Sequence, residues 1–227
     1  MKVCAISDLH GYLPDIEECD VLTISGDIVP LQIQRNYVES ENWYYTTFAD
    51  WINKLPCDKV IIVAGNHDKY LAECPFPAIN ISEFTKGKCI YLQDKNYVYI
   101  LGDKEYTIYG TPWCHKFGNW SFMKEDDSLS KVYKLIPENV DILLCHDTPD
   151  IGNLGLLPPS KWSSSWVNAG NFPLAESIKE KHPRYVFCGH LHECKDKYAK
   201  INNTEIYNVS LLDNAYKLAY KPIYLEI

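Results

Sequence analysis

Five short apolar segments of this chain each run directly into polar residues that can bind a metal ion. They cover residues 2–7, 21–25, 60–64, 141–145 and 185–188. Because they are too short for helices and rich in β-branched side chains, we expect five buried strands. The residues that follow them include five of the seven histidines, namely His10, His67, His146, His190 and His192. The carboxyl ends of strands in an open α/β sheet converge on one crevice, so these side chains are expected to meet there.

The residues at these strand ends offer oxygen and nitrogen ligands. Seven of them are candidate metal ligands: Asp8, His10, Asp27, Asn66, His146, His190 and His192. Side chains at i and i+2 of an extended segment point the same way, so Asp8 and His10 can reach one ion. Carboxylate, imidazole and amide groups suit divalent ions such as Mn, Fe, Zn, Co or Ni. Because one ion seldom takes seven protein groups, we expect two ions that share a carboxylate, about 3.5–4 Å apart as in two-metal sites.

The expected charge of the site differs from the charge of the chain. With 22 Lys+Arg and 30 Asp+Glu, the chain has a formal net charge of −8. That balance makes nucleic acid an improbable partner, since its phosphates are bound by clusters of Lys and Arg. Two divalent cations against two aspartates nevertheless leave a local positive charge. We therefore expect a small-molecule phosphoester substrate.

The chain resembles the calcineurin-like metallophosphoesterase family in motifs that occur in the family's order: Asp8-x-His10, Gly26-Asp27, Gly65-Asn66-His67-Asp68, His146 and Gly189-His190-x-His192. The resemblance implies an α/β (α+β) fold, a four-layer α/β/β/α sandwich with two central mixed β-sheets flanked by helices. It also implies two ligand groups: a first metal bound by Asp8, His10, Asp27 and His192, and a second bound by Asn66, His146 and His190 and bridged to the first by Asp27. By the same resemblance, His67 contacts the substrate and not a metal.

His67 and Asp68 are the candidate catalytic residues. An alkoxide is a poor leaving group, and a proton delivered to it in the transition state is typically worth ~10²–10⁴ in rate. An imidazole can carry that proton near neutral pH. Asp68 either orients His67 or caps a short helix that begins near Lys69. Asn66, Trp113 and His115 are candidates for substrate binding, with ordinary loop packing as the alternative for the last two.

One departure from the family narrows the expected activity. Asp27 is followed by Ile28-Val29-Pro30-Leu31, without the second Asp and the Arg-Gly of the family's protein Ser/Thr phosphatases. The chain is more similar to class III cyclic nucleotide phosphodiesterases and small metallophosphoesterase-domain proteins. We expect a phosphodiesterase that hydrolyses a small nucleotide-like diester by attack of a metal-bound hydroxide, with His67 as the general acid. A phosphomonoesterase and a low-activity nucleotide-binding regulator are the alternatives, and a nuclease is disfavoured by the charge.

The rest of the chain predicts helices, a hairpin and one long loop. Apolar spacing predicts helices over 35–55, 129–136 and 174–182, the first and last of them stopped by a proline. Alternating tyrosines and aliphatics predict a hairpin within 89–110, and 205–227 also favours strands. The Gly-, Pro- and Ser-rich segment 148–171 is expected to be an active-site loop.

We expect residues 1–227 to form a single metallophosphoesterase domain in the cytoplasm. The apolar runs are far below the ~18 residues that a membrane helix needs. The first residues lack the apolar stretch of a secretion signal. The nine cysteines are an odd number without a C-x-x-C pair, which indicates reduced thiols.

Overall fold

The computed structural model describes residues 1–160 and 163–227, and most of its strands form two central sheets. In chain order the strands are β1 (Lys2–Ile6), β2 (Cys19–Ser25), β3 (Cys57–Val63), β4 (Cys89–Tyr91), β5 (Lys95–Leu101), β6 (Lys104–Thr111), β7 (Cys114–His115), β8 (Met123–Lys124), β9 (Ile142–Cys145), β10 (Leu156–Leu157), β11 (Val167–Asn168), β12 (Tyr185–Cys188), β13 (Tyr198–Ile201), β14 (Thr204–Asn208) and β15 (Ile223–Glu226). The first sheet has the strand order β15-β1-β2-β3-β4 and the second β13-β14-β12-β9-β6-β5. Both are mixed, because their inner strands are parallel and β15, β13 and β5 pair antiparallel at the edges.

The helices are short, and two of them begin with an asparagine cap. They are α1 (Tyr37–Trp43), α2 (Ala49–Lys54), α3 (Lys69–Glu73), α4 (Pro77–Phe84), α5 (Asp126–Tyr133) and α6 (Phe172–Lys181). A π-helical segment, Tyr44–Phe48, joins α1 to α2, so that a single run of helix follows β2. The side chains of Asn36 and Asn171 accept hydrogen bonds from backbone amides in the first turns of α1 and α6.

Side-chain alternation along the strands divides the apolar interior into three cores. In β1, Cys4 and Ile6 pack in the core shared with α1 to α4, whereas Val3 and Ala5 pack between the two sheets. The inner strands of the second sheet alternate in the same way between the middle core and a third core under α5 and α6. Three cores separate four layers, and the expected α/β/β/α sandwich is therefore confirmed.

Most elements lie where the sequence predicts them. The five buried strands are present, the hairpin is β5-β6, and the predicted 35–55 helix is the run from Tyr37 to Lys54. The prediction of strands throughout 205–227 is wrong for residues 209–222. In that segment the Asp213 side chain accepts hydrogen bonds from the amides of Ala215 and Lys217, which closes a turn that interrupts the strands.

The structure also bears on the expected state of the cysteines and on the expected lack of a membrane helix. All nine cysteines are free thiols, and all but Cys57 are buried. In the parts of the chain that the structure describes, every helix is too short or too polar to cross a bilayer.

Candidate metal centre

The candidate ligands lie in loops that follow parallel strands of both sheets. β1, β2 and β3 end in the loops that carry Asp8, Asp27 and Asn66, and β9 and β12 end in the loops that carry His146 and His190. Backbone hydrogen bonds fasten these loops to one another, such as Asp8 N to Gly26 O at 3.0 Å and Gly189 N to His146 O at 2.9 Å. The strand ends therefore converge on one crevice, as the sequence predicts.

Four of the candidate ligands have left-handed backbone conformations. Asp8, His10, Asp27 and His190 have φ values of 55°, 42°, 53° and 67°. Residues other than glycine occupy this region at a cost, and such strain clusters at functional sites. The loops thus hold these side chains in directions that an ordinary strand end would not give.

Two glycines make room for the carboxylates. A Cβ atom at Gly65 would collide with Oδ1 and the backbone nitrogen of Asp27, and one at Gly189 would collide with Ser7 Oγ and Asp8 Oδ2. Only glycine allows the backbone to approach a side chain this closely.

The first half of the centre combines residues from both sheets. His192 Nε2 lies 3.2 Å from Asp8 Oδ1, and His10 Nε2 lies 3.6 Å from Asp27 Oδ2. His192 Nδ1 lies 3.0 Å from the Asp213 carbonyl oxygen, which leaves Nε2 facing the centre. The hydroxyl of Ser210 donates to Asp8 Oδ2 at 2.6 Å. These outer contacts fix the orientation of ligands in the way that metal sites commonly show.

The second half lies on the other side of Asp27. His146 Nε2 is 3.4 Å from Asp27 Oδ1 and 3.1 Å from Asn66 Oδ1. His146 Nδ1 lies 2.7 Å from the Ser25 carbonyl oxygen, so that Nε2 faces the centre. The ring of His190 lies 5.2 Å from that of His146. The two oxygens of Asp27 therefore face the two halves separately, an arrangement that fits a carboxylate shared by two ions.

His10 supports the fit of this pocket to metal ions. Its side chain is buried, and among the described residues neither ring nitrogen has a hydrogen-bond partner. Buried polar atoms are nearly always paired, and leaving one unpaired is costly. A cation between His10, Asp8 and Asp27 would satisfy the nitrogen that faces the carboxylates. The residues of the pocket thus fit divalent ions.

Burial and neighbouring charges perturb the protonation of the histidines. Burial lowers the pKa of His10 to about 4 and that of His190 to about 4, so both rings are neutral and free to bind a cation at neutral pH. At His146 burial also lowers the pKa, but the Asp27 carboxylate outweighs it and raises the pKa to about 10. The nearby histidines hold the pKa of Asp27 well below its usual range despite its burial.

His67 lies beside Asp27 and is held by a residue that the sequence did not single out. Its backbone amide donates to Asp27 Oδ1 at 2.8 Å, and its Nε2 lies 3.8 Å from Asp27 Oδ2. Its Nδ1 contacts Oε1 of Gln34. Gln34 lies in the connection before α1, where no motif or periodic pattern marks it.

Asp68 has neither of the contacts expected for it. Its carboxylate accepts hydrogen bonds from the amides of Gly65, Ile28 and Val29 and from the hydroxyl of Tyr44, at 2.8–3.2 Å. In the described structure it neither contacts the His67 ring nor caps α3. Asp68 instead ties the loop after β2 to the loop after β3, because a buried carboxylate needs several donors. Burial and the charge of Asp27 raise its pKa to about 6.

The cavity above the centre has aromatic walls other than the expected ones. It holds about 220 Å³ and is lined by four of the candidate ligands and His67, together with Phe117, Trp120, Asn214 and Tyr216. Trp113 lies apart from it, because its indole nitrogen donates to Asp94 at 2.8 Å and its ring packs on Phe122. Trp113 is therefore not among the lining residues, whereas Trp120 is, with its ring 4.3 Å from that of His67.

His115 is also occupied by an internal contact. Its Nδ1 and its backbone nitrogen each lie 2.9 Å from Oδ2 of the buried Asp147, and that hydrogen bond raises the pKa of the imidazole. It is not among the residues that line the cavity. Tyr216, which lines the cavity, is 43% exposed, and its ring lies 4.9 Å from His10.

The long segment 148–171 differs from the expected active-site loop. It carries the small β10-β11 hairpin, and none of its described residues lines the cavity. Residues 161 and 162 of this segment lie outside the described residues. Thr148 instead donates from its hydroxyl to the Gly189 carbonyl, which supports the loop after β12.

One sulfur lies close to the second half of the centre. Cys114 Sγ is within 4.8 Å of ligand atoms of His146 and His190, although the sequence places no cysteine in the ligand set. Burial raises the pKa of this thiol well above its usual range. Without a bound metal this thiol therefore keeps its proton at neutral pH.

The comparison with known families identifies the class of protein. The model of the calcineurin-like phosphoesterase family matches residues 1–194. The chain therefore belongs to the calcineurin-like phosphoesterases, metal-binding hydrolases that typically hold two divalent ions.

Individual relatives agree with this assignment. Human metallophosphoesterase domain-containing protein 1 is 28% identical over 249 residues, which cover 99% of this chain and 70% of that protein. TT1561 of Thermus thermophilus aligns with a TM-score of 0.56 at 15% identity, over 96% of both chains. Phosphopantetheinyl hydrolase (PptH) from Mycobacterium tuberculosis aligns with a TM-score of 0.54 at 14% identity, over 95% of this chain and 90% of that one. At these identities the two structures show the fold alone.

Proposed function

We propose that this chain is a dinuclear metal-dependent phosphodiesterase that acts on a small nucleotide-like diester, with His67 as the general acid. The observation that carries the proposal is the position of Asp27. Its two carboxylate oxygens face two separate ligand groups, and His67 lies beside it.

The proposed ligands divide into two groups around Asp27. Asp8, His10 and His192 form the first group with Asp27, and Asn66, His146 and His190 form the second. Bound divalent ions would supply positive charge to the phosphoryl oxygens and lower the pKa of water. The chain's own part is to hold these ligands: Ser25 and Asp213 accept from the outer ring nitrogens of His146 and His192, and Ser210 donates to Asp8.

His67 is proposed to deliver a proton to the leaving oxygen. The contact between its Nδ1 and Gln34 Oε1 fits a donating Nδ1–H, and it leaves Nε2 facing the cavity beside Asp27. Since Gln34 accepts only at its carbonyl oxygen, it holds the ring in one orientation and does not compete for the Nε2 proton. Water that has lost one proton to solvent attacks phosphorus as hydroxide, the ester P–O bond breaks, and the Nε2 proton passes to the departing alkoxide.

The cavity supports a small diester over larger or more highly charged substrates. Its volume of about 220 Å³ suits a small molecule. Its described lining contains neither Lys nor Arg to pair with the second negative charge of a monoester. The exposed ring of Phe117 offers a surface on which a base can stack.

The direct test compares bis-p-nitrophenyl phosphate with p-nitrophenyl phosphate. Metal-stripped protein is reconstituted with Mn, Ni, Zn or Mg, and its metal content is measured beside the two rates. We expect faster diester hydrolysis with a transition metal. Faster monoester hydrolysis would instead indicate a phosphomonoesterase. Two bound ions without activity, together with nanomolar binding of nucleoside monophosphates, would indicate the nucleotide-binding regulator.

A further inference from the structure

A second cleft opens next to the metal cavity, and its wall carries positive charge. It holds about 330 Å³, and its lining includes Gln34, Arg35, His67, Lys69, Trp120 and one acidic residue, Glu73. We call it the cationic cleft. The cavity above the candidate metal centre, here called the metal cavity, has no Lys or Arg among its described lining residues. The cationic cleft differs from it in having Arg35 and Lys69.

Arg35 is placed to bind an anion. Its guanidinium carbon lies 4.3 Å from the centre of the Trp120 ring, and the side chain is exposed. No described carboxylate lies within ion-pair distance of it. An arginine held against an aromatic ring keeps its N–H edge available, and that edge matches a carboxylate or phosphate with two parallel hydrogen bonds.

Lys69 adds a weaker contribution. It pairs with Glu73 at 3.5 Å, one helical turn further on, and both side chains are nearly half exposed. Exposed pairs of this kind are weak and exchange readily, so Lys69 remains available to a ligand of higher charge.

The cleft and the metal cavity share part of their walls. Asn66, His67 and Trp120 line both. Because His67 is proposed to protonate the leaving oxygen, the leaving alcohol is the part of the substrate that lies next to this shared wall. A substituent on that alcohol can pass His67 and Trp120 into the cationic cleft, whereas the phosphoryl group remains over the ligands.

We propose that the cationic cleft binds a second anionic group, a carboxylate or a phosphate, carried by the leaving alcohol of the substrate, with Arg35 as its principal contact. The orientation of the substrate rests on the proposed role of His67. The presence of an anion site at Arg35 does not depend on His67, so the anion site and the orientation of the substrate are tested separately.

The binding test uses the leaving alcohols themselves. Phenol, 3-hydroxybenzoate and 3-hydroxyphenylphosphonate are titrated calorimetrically into metal-free protein, which removes direct coordination of the anions by metal. We expect the two anionic phenols to bind at least about tenfold more tightly than phenol, as one charge-assisted contact provides. Whichever anion binds more tightly identifies the carboxylate or the phosphate as the natural group.

Two substitutions make the test specific to the cleft. Arg35→Gln is expected to remove the preference for the anionic phenols. The matched control is Arg184→Gln, which removes the only other arginine, an exposed side chain beside Tyr185 and distant from the cleft. Equal binding of the three phenols, or a preference that survives in R35Q, would overturn the proposal.

A kinetic test separates this proposal from the proposed function. Methyl phenyl phosphate and methyl 3-carboxyphenyl phosphate share a phosphoryl group and differ in the charge of the leaving alcohol. We expect a KM about tenfold lower for the carboxylated ester, and R35Q to remove that difference while R184Q keeps it. If neither ester is hydrolysed although anion binding depends on Arg35, the proposed function fails and the cleft stands. Hydrolysis with equal KM values would contradict the cleft alone.

Discussion

At the scale of single residues, the proposed acid can be tested by the leaving group of the substrate. His67→Ala is expected to slow hydrolysis of methyl phenyl phosphate by ~10²-fold or more, the loss typical of a missing proton donor. It should barely affect bis-p-nitrophenyl phosphate, because p-nitrophenolate leaves without a proton. Rate measurements with both esters at equal metal content check this. An equal loss of rate with both esters would contradict the assignment of His67 as the general acid.

Gln34 is expected to act as a positioning residue for the proposed acid, His67. Gln34→Leu removes the acceptor at His67 Nδ1 and is expected to lower kcat for methyl phenyl phosphate by roughly tenfold, with little change in KM, because the ring is no longer held in one orientation. The exposed Gln32 gives the control Gln32→Leu, which should match the unmodified chain. If Q34L changes the rates of activated and unactivated esters equally, Gln34 has only a structural role.

At the scale of elements, the turns after the strands are tightly packed, and Gly65 shows how little they tolerate. Gly65→Ala would push a Cβ into Asp27 and is expected to lower metal affinity at least tenfold and stability by ~1–3 kcal/mol. Gly87→Ala is the control. Its φ of +75° strains an alanine and costs ~1–2 kcal/mol of stability, but nothing lies within 4 Å of the added Cβ atom. Metal titration and urea unfolding check both. Normal metal affinity in G65A would contradict this account of the turn.

The strands and the residues at their ends were predictable because their signals are local. Alternating or continuous apolar runs mark β1, β2, β3, β9 and β12, and the ligands follow directly in the chain. Helix α4 was missed, because its apolar side chains, such as Phe76 at its cap and Ile79, are largely exposed and give no clear face. Ser210 and Tyr216 were missed for another reason. They reach the site through a turn that begins far along the chain from the residues they contact, so no spacing reveals them.

Asp68 and Trp113 show the limit of inference from a motif. Asp68 stands beside His67 in the sequence and Trp113 lies two residues before His115, but both side chains form hydrogen bonds away from the cavity that hold loops together. A neighbour in sequence shares a loop with the ligand, but backbone direction alone decides which way its side chain points. The ligand set itself, like the single domain over residues 1–227, stays a prediction for experiment.

At the scale of the whole molecule, the buried histidines predict how stability depends on pH without metal. Below about pH 6.5, the usual pKa of histidine, His10 and His190 become protonated in the unfolded chain. In the folded chain they stay neutral until about pH 4, so the free energy of unfolding falls as pH falls. Above about 6.5, the raised pKa of His146 gives the opposite effect, and stability falls as pH rises toward 10. We therefore expect a maximum near neutral pH.

Urea midpoints measured in EDTA across pH 4–10 check this profile. With metal bound, the loss above neutral pH should disappear, because the metal displaces the proton of the His146 ligand nitrogen into solvent. A metal-free midpoint that keeps rising from neutral pH to pH 9 would contradict the linkage.

The candidate ligands are divided between the two sheets, four following β1, β2 and β3 and three following β9 and β12. A bound pair of ions would therefore cross-link the two sheets of the sandwich, and this cross-link would exist only in the native state. Amide hydrogen exchange should show this directly. Removing the metal is expected to hasten exchange in β12 as much as in β1, although β12 follows β1 by more than 170 residues in the chain. Faster exchange confined to one sheet would mean that the halves open independently.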